Sequence, residues 1–190
     1  MPRVKLFNEE TVLVKAMELF WKKGYHATSI QDLVDHLQIN RASLYDTYGG
    51  KKELFDKAFA HYRTTNSEYL KTFLDTQPNV KQGLLALFET AIEASVSDVE
   101  CKGCFVINTA MEMIPEDALL HQAVKDNQAA FKDLWYNFLK QRNYSKTDKE
   151  LKTMAGLIFT FYNGIKVVAK MHADKESLMA SVQKFLTLFD

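Results

Sequence analysis

Thr28-Ser29-Ile30-Gln31-Asp32-Leu33-Val34-Asp35-His36-Leu37, then Gln38-Ile39, then Asn40-Arg41-Ala42-Ser43-Leu44-Tyr45-Asp46-Thr47-Tyr48 is the stretch on which the fold turns. Ile30, Leu33, Val34 and Leu37 recur at i, i+3, i+4 and i+7, which is one face of a helix. Thr28-x-x-Gln31 has the form of a capping box, in which hydroxyl and amide each satisfy an orphan backbone N–H, so the helix is expected to open at Thr28. Gln38-Ile39 leaves room for a short turn only. Asn40 can cap a second short helix running to Tyr48, and Gly49-Gly50 ends it. Two short helices joined by a tight turn form a unit that can lay its second helix in the major groove of DNA.

The neighbouring segments complete a three-helix head. Upstream, Leu13, Ala16, Met17 and Phe20 share a face that can receive the Ile30–Leu37 stripe. Asn8 can cap that helix; Glu9 and Glu10 suit the positive end of its dipole, and Lys22 and Lys23 the negative end. Gly24 is a natural left-handed stop. Downstream, Lys51 opens a long helix carrying Leu54, Phe55, Ala58, Phe59, Tyr62, Leu70 and Leu74. Pro78 stops it, after a span of roughly 35–40 Å. The same period predicts helices over 80–96, 105–114 (ended by Pro115), 119–139, 147 to about His172 (opened by the capping box Thr147-x-x-Glu150), and 177–189. The expected fold class is all-α, with no period-2 alternation and no repeat. Residues 1–50 are expected to be a helix-turn-helix DNA-binding domain. Residues 51–190 are expected to be a larger helical body, with 51–76 as the connecting helix and the passage between cores near Thr65.

Composition narrows the classes. Among 190 residues only seven are Gly and three Pro, too few for a turn-rich β fold. Lys and Arg number 24 and so do Asp and Glu, so no global positive field exists and any DNA surface must be a local patch. No apolar run reaches the length of a membrane span, and Met1-Pro2-Arg3-Val4-Lys5 lacks a signal-peptide core, so a cytoplasmic protein with reduced thiols at Cys101 and Cys104 is expected.

On the second short helix, Leu44 and Tyr48 can hold the core while Arg41, Ala42 and Ser43 point outward. Small outward residues allow close entry into the groove, and Arg41 can reach a guanine edge or a phosphate. The Tyr45 hydroxyl can donate to a phosphate, and Lys51 adds charge beside helix-terminal N–H groups. The candidate DNA contacts are Thr28, Ser29, Arg41, Ala42, Ser43, Tyr45, Tyr48 and Lys51. These residues equally fit a solvated face of a packing module.

Residues 11–59 resemble the N-terminal domain of the TetR/AcrR family. The resemblance runs through Ala16-Met17-Glu18-Leu19-Phe20, Gly24-Tyr25, Thr28-Ser29-Ile30-Gln31-Asp32-Leu33, Arg41-Ala42-Ser43-Leu44-Tyr45-Asp46-Thr47-Tyr48 and Lys51-Lys52-Glu53-Leu54-Phe55. The departures are Gln38 where the family has Gly in the turn, at a cost of about 1 kcal/mol for a left-handed non-Gly residue, together with Ala42 for Gly, Tyr48 for Phe and Gly50 for Ser. They leave the operator sequence open. The resemblance implies a regulator, most simply a repressor released from a palindromic DNA operator by a small-molecule or thiol-reactive effector, and a homodimer joined through the last two helices. Gly156 and Gly164, eight residues apart, would allow close helix approach there, although those helices equally suit an intrachain core. No cofactor or metal is implied.

The resemblance also implies a ligand pocket in the body. Candidates are Phe88, Cys104, Asn108, Met111, Trp135, Phe138, Phe159 and Tyr162, each of which could instead be core. Gly103-Cys104-Phe105-Val106-Ile107-Asn108 resembles a segment of one subset of the family. Cys104, at a helix start, is a candidate redox or electrophile sensor, with inert packing and metal binding as the other readings of Cys101-Lys102-Gly103-Cys104. An all-α thiol or metal enzyme is the alternative class, but no nucleophile, base and orienting group stand together in the sequence.

Overall fold

The computed structural model describes residues 7–114, 116–142, 144, 147–171 and 174–190. Its helices are α1 (Glu9–Lys23), α2 (Ile30–Leu37), α3 (Arg41–Tyr48), α4 (Lys51–Asp75), α5 (Val80–Ser97), α6 (Phe105–Met113), α7 (Ala118–Gln141), α8 (Asp148–Met171) and α9 (Lys175–Leu186), closed by a 3-10 turn at Thr187–Phe189. Among the described residues there is no strand. Met1 to Lys5, the Pro115 stop and the His172 helix end lie outside the described residues.

Short polar side chains set most of the starts. Asn8, Asn40, Asn79, Asp117 and Asp174 each accept from a backbone N–H three residues on. The Thr147–Glu150 box closes with the hydroxyl accepting from the Glu150 N–H and the carboxylate accepting from the Thr147 N–H at 2.9 Å. The start of α2 differs from expectation. Ser29 is the cap, boxed with Asp32, while the Thr28 hydroxyl donates back to the Gly24 carbonyl at 2.6 Å. Both positions offer a hydroxyl followed three residues later by a polar partner, and the chain folds so that Thr28 points inward. Gly24 ends α1 with φ +86 but an extended ψ of 166, so the stop uses glycine's freedom without being left-handed helical. Gln38 adopts the left-handed conformation, φ 56 and ψ 39.

Two apolar clusters are strung along α4. The first packs Val12, Ala16 and Phe20 of α1 against Leu33, Leu37, Leu44, Leu54 and Phe55. The second gathers Leu70 and Leu74 with Leu84, Phe88, Trp135, Ile158 and Phe185 of α5, α7, α8 and α9. The first cluster is not confined to α1–α4. Phe105, the opening residue of α6, is 2% exposed within it, ringed by Phe55, Phe59 and Tyr62 at centroid distances of 5.8, 5.7 and 5.5 Å. Met113 and Leu120, from α6 and α7, complete that core.

Because Phe105 fills the middle of the first cluster, Phe105→Ala is expected to cost about 3–5 kcal/mol. Chemical denaturation should show this as a lower midpoint with both clusters still unfolding together; a loss under 1 kcal/mol would mean that the head carries its own core.

Candidate nucleic-acid interface and body pocket

The surface that α3 leaves exposed is small and mixed. Leu44 and Tyr48 are buried, which turns Arg41, Ala42, Tyr45 and Asp46 to solvent, with Ser43 half-buried beside them. The Arg41 guanidinium lies 5.8 Å from the Tyr45 ring centroid. The Tyr45 ring in turn borders Gly50, the residue before Lys51. The Lys51 ammonium sits 4.3 Å from the Tyr25 ring centroid, and burial draws it below the usual lysine range against the opposing pull of Glu112 and Asp32. Ser29 is exposed, but its hydroxyl is engaged with Asp32. Hydrogen bonds from Lys23 and Ser29 hold that carboxyl well below the usual carboxylate range.

Two expected contacts face the wrong way. Thr28 is fully buried and its hydroxyl is spent on Gly24. Tyr48 is 6% exposed and donates its hydroxyl to the Glu9 carbonyl at 3.1 Å; burial, with the Glu9 charge adding, pushes its phenol up to about 12. Both hold the head together and present nothing to a ligand. Asp46 was not expected on this face; its place one residue after Tyr45 was the available signal.

The head is fastened to the body at polar points around the Phe105 seam. Glu112 of α6 accepts from the backbone N–H groups of Tyr25 and His26 at 3.0 and 2.7 Å. Lys52 at the head of α4 pairs with Asp117, the cap of α7, at 2.9 Å. The Trp21 indole donates to the Gly103 carbonyl at 3.0 Å. Gly103 has φ +66, and a Cβ there would meet Lys170 at 2.7 Å, so the loop before α6 needs glycine at this point.

Two of the hollows in the body adjoin one another. The larger, about 440 Å³, lies between α4, α5 and α8 and reaches Trp21 and the 98–103 loop. The smaller, about 210 Å³, lies between α4, α6, α7 and α8. Of the expected pocket residues, Cys104, Met111, Phe159 and Tyr162 line the smaller hollow. Phe88, Trp135 and Phe138 do not. They are core, with Phe88 packed edge-on against Phe161 and Phe185, because large rings on the inward helix faces are swallowed by neighbouring helices. Asn108 is a brace, donating to the Lys102 carbonyl at 2.7 Å and accepting from Lys170 at 3.2 Å. Asn66 and Lys166, which line both hollows, were not anticipated. A signal existed for Lys166. It falls in the stripe Tyr162, Ile165, Lys166, Ala169, where helical spacing places a cation inside an otherwise inward face. Cys101 is exposed and Cys104 buried, both as free thiols. Among the described residues, no three His, Cys, Asp or Glu side chains are grouped to hold a metal ion, and no helix is long and apolar enough to cross a membrane.

Comparison with known proteins agrees with this geometry. Residues 12–58 match the model of the tetR family of bacterial regulatory proteins. The chain is 31% identical over 194 residues to the uncharacterized HTH-type transcriptional regulator YezE of Bacillus subtilis, covering 100% of each. It is 27% identical over 182 residues to the HTH-type transcriptional repressor ComR of Escherichia coli, covering 93% of this chain and 86% of that protein. Its fold superposes with a TM-score of 0.84, at 28% identity and covering 97% and 98% of the two chains, on the TetR family transcriptional regulator CifR. That protein was solved as a cysteine mutant complexed with 26-bp double-strand operator DNA.

Arg41→Ala is expected to weaken binding to a selected DNA site by about 1–3 kcal/mol. Tyr48→Phe should leave that affinity unchanged while lowering stability by about 0.5–1.5 kcal/mol through loss of one hydrogen bond. Fluorescence anisotropy with labelled duplex and thermal melts of the same samples separate the two effects.

Proposed function

The chain belongs to the tetR family of bacterial regulatory proteins, and from that premise we propose that it is a homodimeric DNA-binding repressor, released from a palindromic operator by a small molecule bound in its body. The observation that carries this reading is the exposed face of α3, where Arg41, Ala42 and Tyr45 stand clear of a fully buried Leu44. Arg41 reads a base edge or phosphate, Ala42 allows close approach, and Tyr45, Ser43 and Lys51 contact phosphates. Ser29 contributes from the start of α2. Residues 1–50 do the reading, and 51–190 bind the effector and dimerise, with 51–76 as the lever between them.

The dimer reading rests on the outer side of α8. Leu157, Val167, Val168 and Met171 are exposed there, and a Cβ added at Gly156 or Gly164 meets nothing within the chain. An apolar stripe with glycines on open ground suits close packing against a second copy, and a twofold dimer presents two recognition helices about 34–36 Å apart, one turn of DNA.

Effector and operator communicate through α4 and α6. Tyr62 and Asn66 of α4 line the hollows of the body, while Lys51 heads the same helix beside α3. Phe105 and Glu112 fix α6 to the head from the other side. A ligand that favours one tilt of α6 over another changes operator affinity by that difference in binding free energy and no more. A thiol-reactive effector is the second reading, favoured by the place of Cys104 at the cap of α6 and on the wall of the smaller hollow.

Selection of bound fragments from a random DNA pool, followed by titration at several salt concentrations, tests the proposal. The expected result is a palindromic site and a steep fall of affinity with salt; binding without sequence preference would sink it. Glu112→Ala is expected to speed amide exchange at Tyr25 and His26 and to alter operator affinity while the dimer stays intact, as read by exchange mass spectrometry and sedimentation.

A further inference from the structure

The two adjoining hollows of the body meet at a shared wall made by Asn66, Tyr162 and Lys166. We propose that this wall anchors a small apolar monocarboxylic acid, its carboxylate against the Lys166 ammonium and its hydrocarbon body in the smaller hollow. The proposal rests on the reading of the body as an effector-binding unit and gives that effector a chemical class.

Lys166 is the reason. The residue is half-buried on α8, and its ammonium lies 4.9 Å from the Tyr162 ring centroid, among Tyr162, Cys104 and Tyr62. A lysine is ordinarily protonated well above neutral pH, and burial works against that charge here. None of the three neighbours is a fixed anion. Burial pushes the Tyr62 phenol above its ordinary value, so that hydroxyl stays neutral near pH 7. Among the described residues, no carboxylate forms an ion pair with Lys166. Asp98, the one carboxylate among the residues lining the two hollows, already accepts from the backbone N–H groups of Glu100 and Lys102. Three other lysines of the body are engaged: Lys175 pairs with Glu93, Lys102 with Glu100, and Lys170 braces Asn108. A cation enclosed without a counter-charge is costly, and the cost is recovered when an anion enters.

The rest of the site narrows the anion. One lysine and the neutral donors Asn66 and Tyr162 match a single negative charge, where a phosphate dianion would want more cations. The smaller hollow is walled by Val106, Ile107, Ala110, Val124, Phe131 and Phe159, an apolar lining for a hydrocarbon body. Its volume of about 210 Å³ falls below the roughly 300–1,000 Å³ of sites for drug-sized ligands. The position also explains how such an acid would be felt by the head, since Tyr62 lines the larger hollow together with Lys166 and packs on Phe105.

Calorimetry on the full-length dimer with benzoate and hexanoate, each against its neutral amide, tests this. We expect at least one acid to bind the unmodified protein ten-fold or more tightly than its amide. In Lys166→Met that preference should vanish. The comparison of acid with amide needs no variant, so it stands even if Lys166→Met folds poorly. Equal binding of acid and amide, no binding of either acid at millimolar concentration, or a preference that survives Lys166→Met would overturn the proposal. If the protein still selects its DNA site, such a failure removes the acid alone; loss of sequence-specific DNA binding would instead remove the regulator reading.

Discussion

Phe105 holds the molecule to one arrangement. It is the first residue of α6, which otherwise belongs to the body, yet its ring is packed among Trp21, Phe55, Phe59 and Tyr62 of the head and the connecting helix. Aromatic pairs in edge-to-face contact contribute about 0.5–1.5 kcal/mol each beyond the area they bury, and Phe105 makes three such contacts at once. With the ring seated, α6 has one way to lie across α1 and α4. Glu112, two turns further along, then falls under the turn after α1, and Asp117 meets Lys52. The polar fastenings follow from the apolar one.

This seam also shows what the sequence disclosed and what it withheld. Helix existence and most ends were legible because each is a local matter of period and caps: Asn8, Asn40 and Thr147 behave as their chemistry dictates. The start of α2 was misjudged by one residue because Thr28 and Ser29 offer the same local chemistry, and a contact four residues back, to Gly24, decides between them. On α3, Leu44 was enough to place Arg41, Ala42 and Tyr45 outward, but not Asp46. Tyr48 was ambiguous because a tyrosine suits either side, and only the nearness of the Glu9 carbonyl settles it. The body was the least legible part. Period tells which face of a helix turns inward, but not whether that face meets another helix or a hollow. Phe88, Trp135 and Phe138 meet helices, while Phe159 and Tyr162 meet a hollow.

Charge is distributed with the same economy. The chain has no net charge, and several cations of the head are committed within the chain: Lys22 to Glu100, Lys23 to Asp32 and Lys52 to Asp56 and Asp117. Exposed pairs of this kind contribute little stability singly. Arg41 and Lys51, on the α3 side, take part in none of these pairs.

The shared core bears on how the protein comes into being. The apolar faces of α1 and α4 close around a ring that is made later in the chain, at residue 105. Contacts so far apart in sequence form late. The first core is therefore complete only once residue 105 has been made. The same dependence bears on recombination: a head moved onto another body would lack the ring that fills the middle of its core.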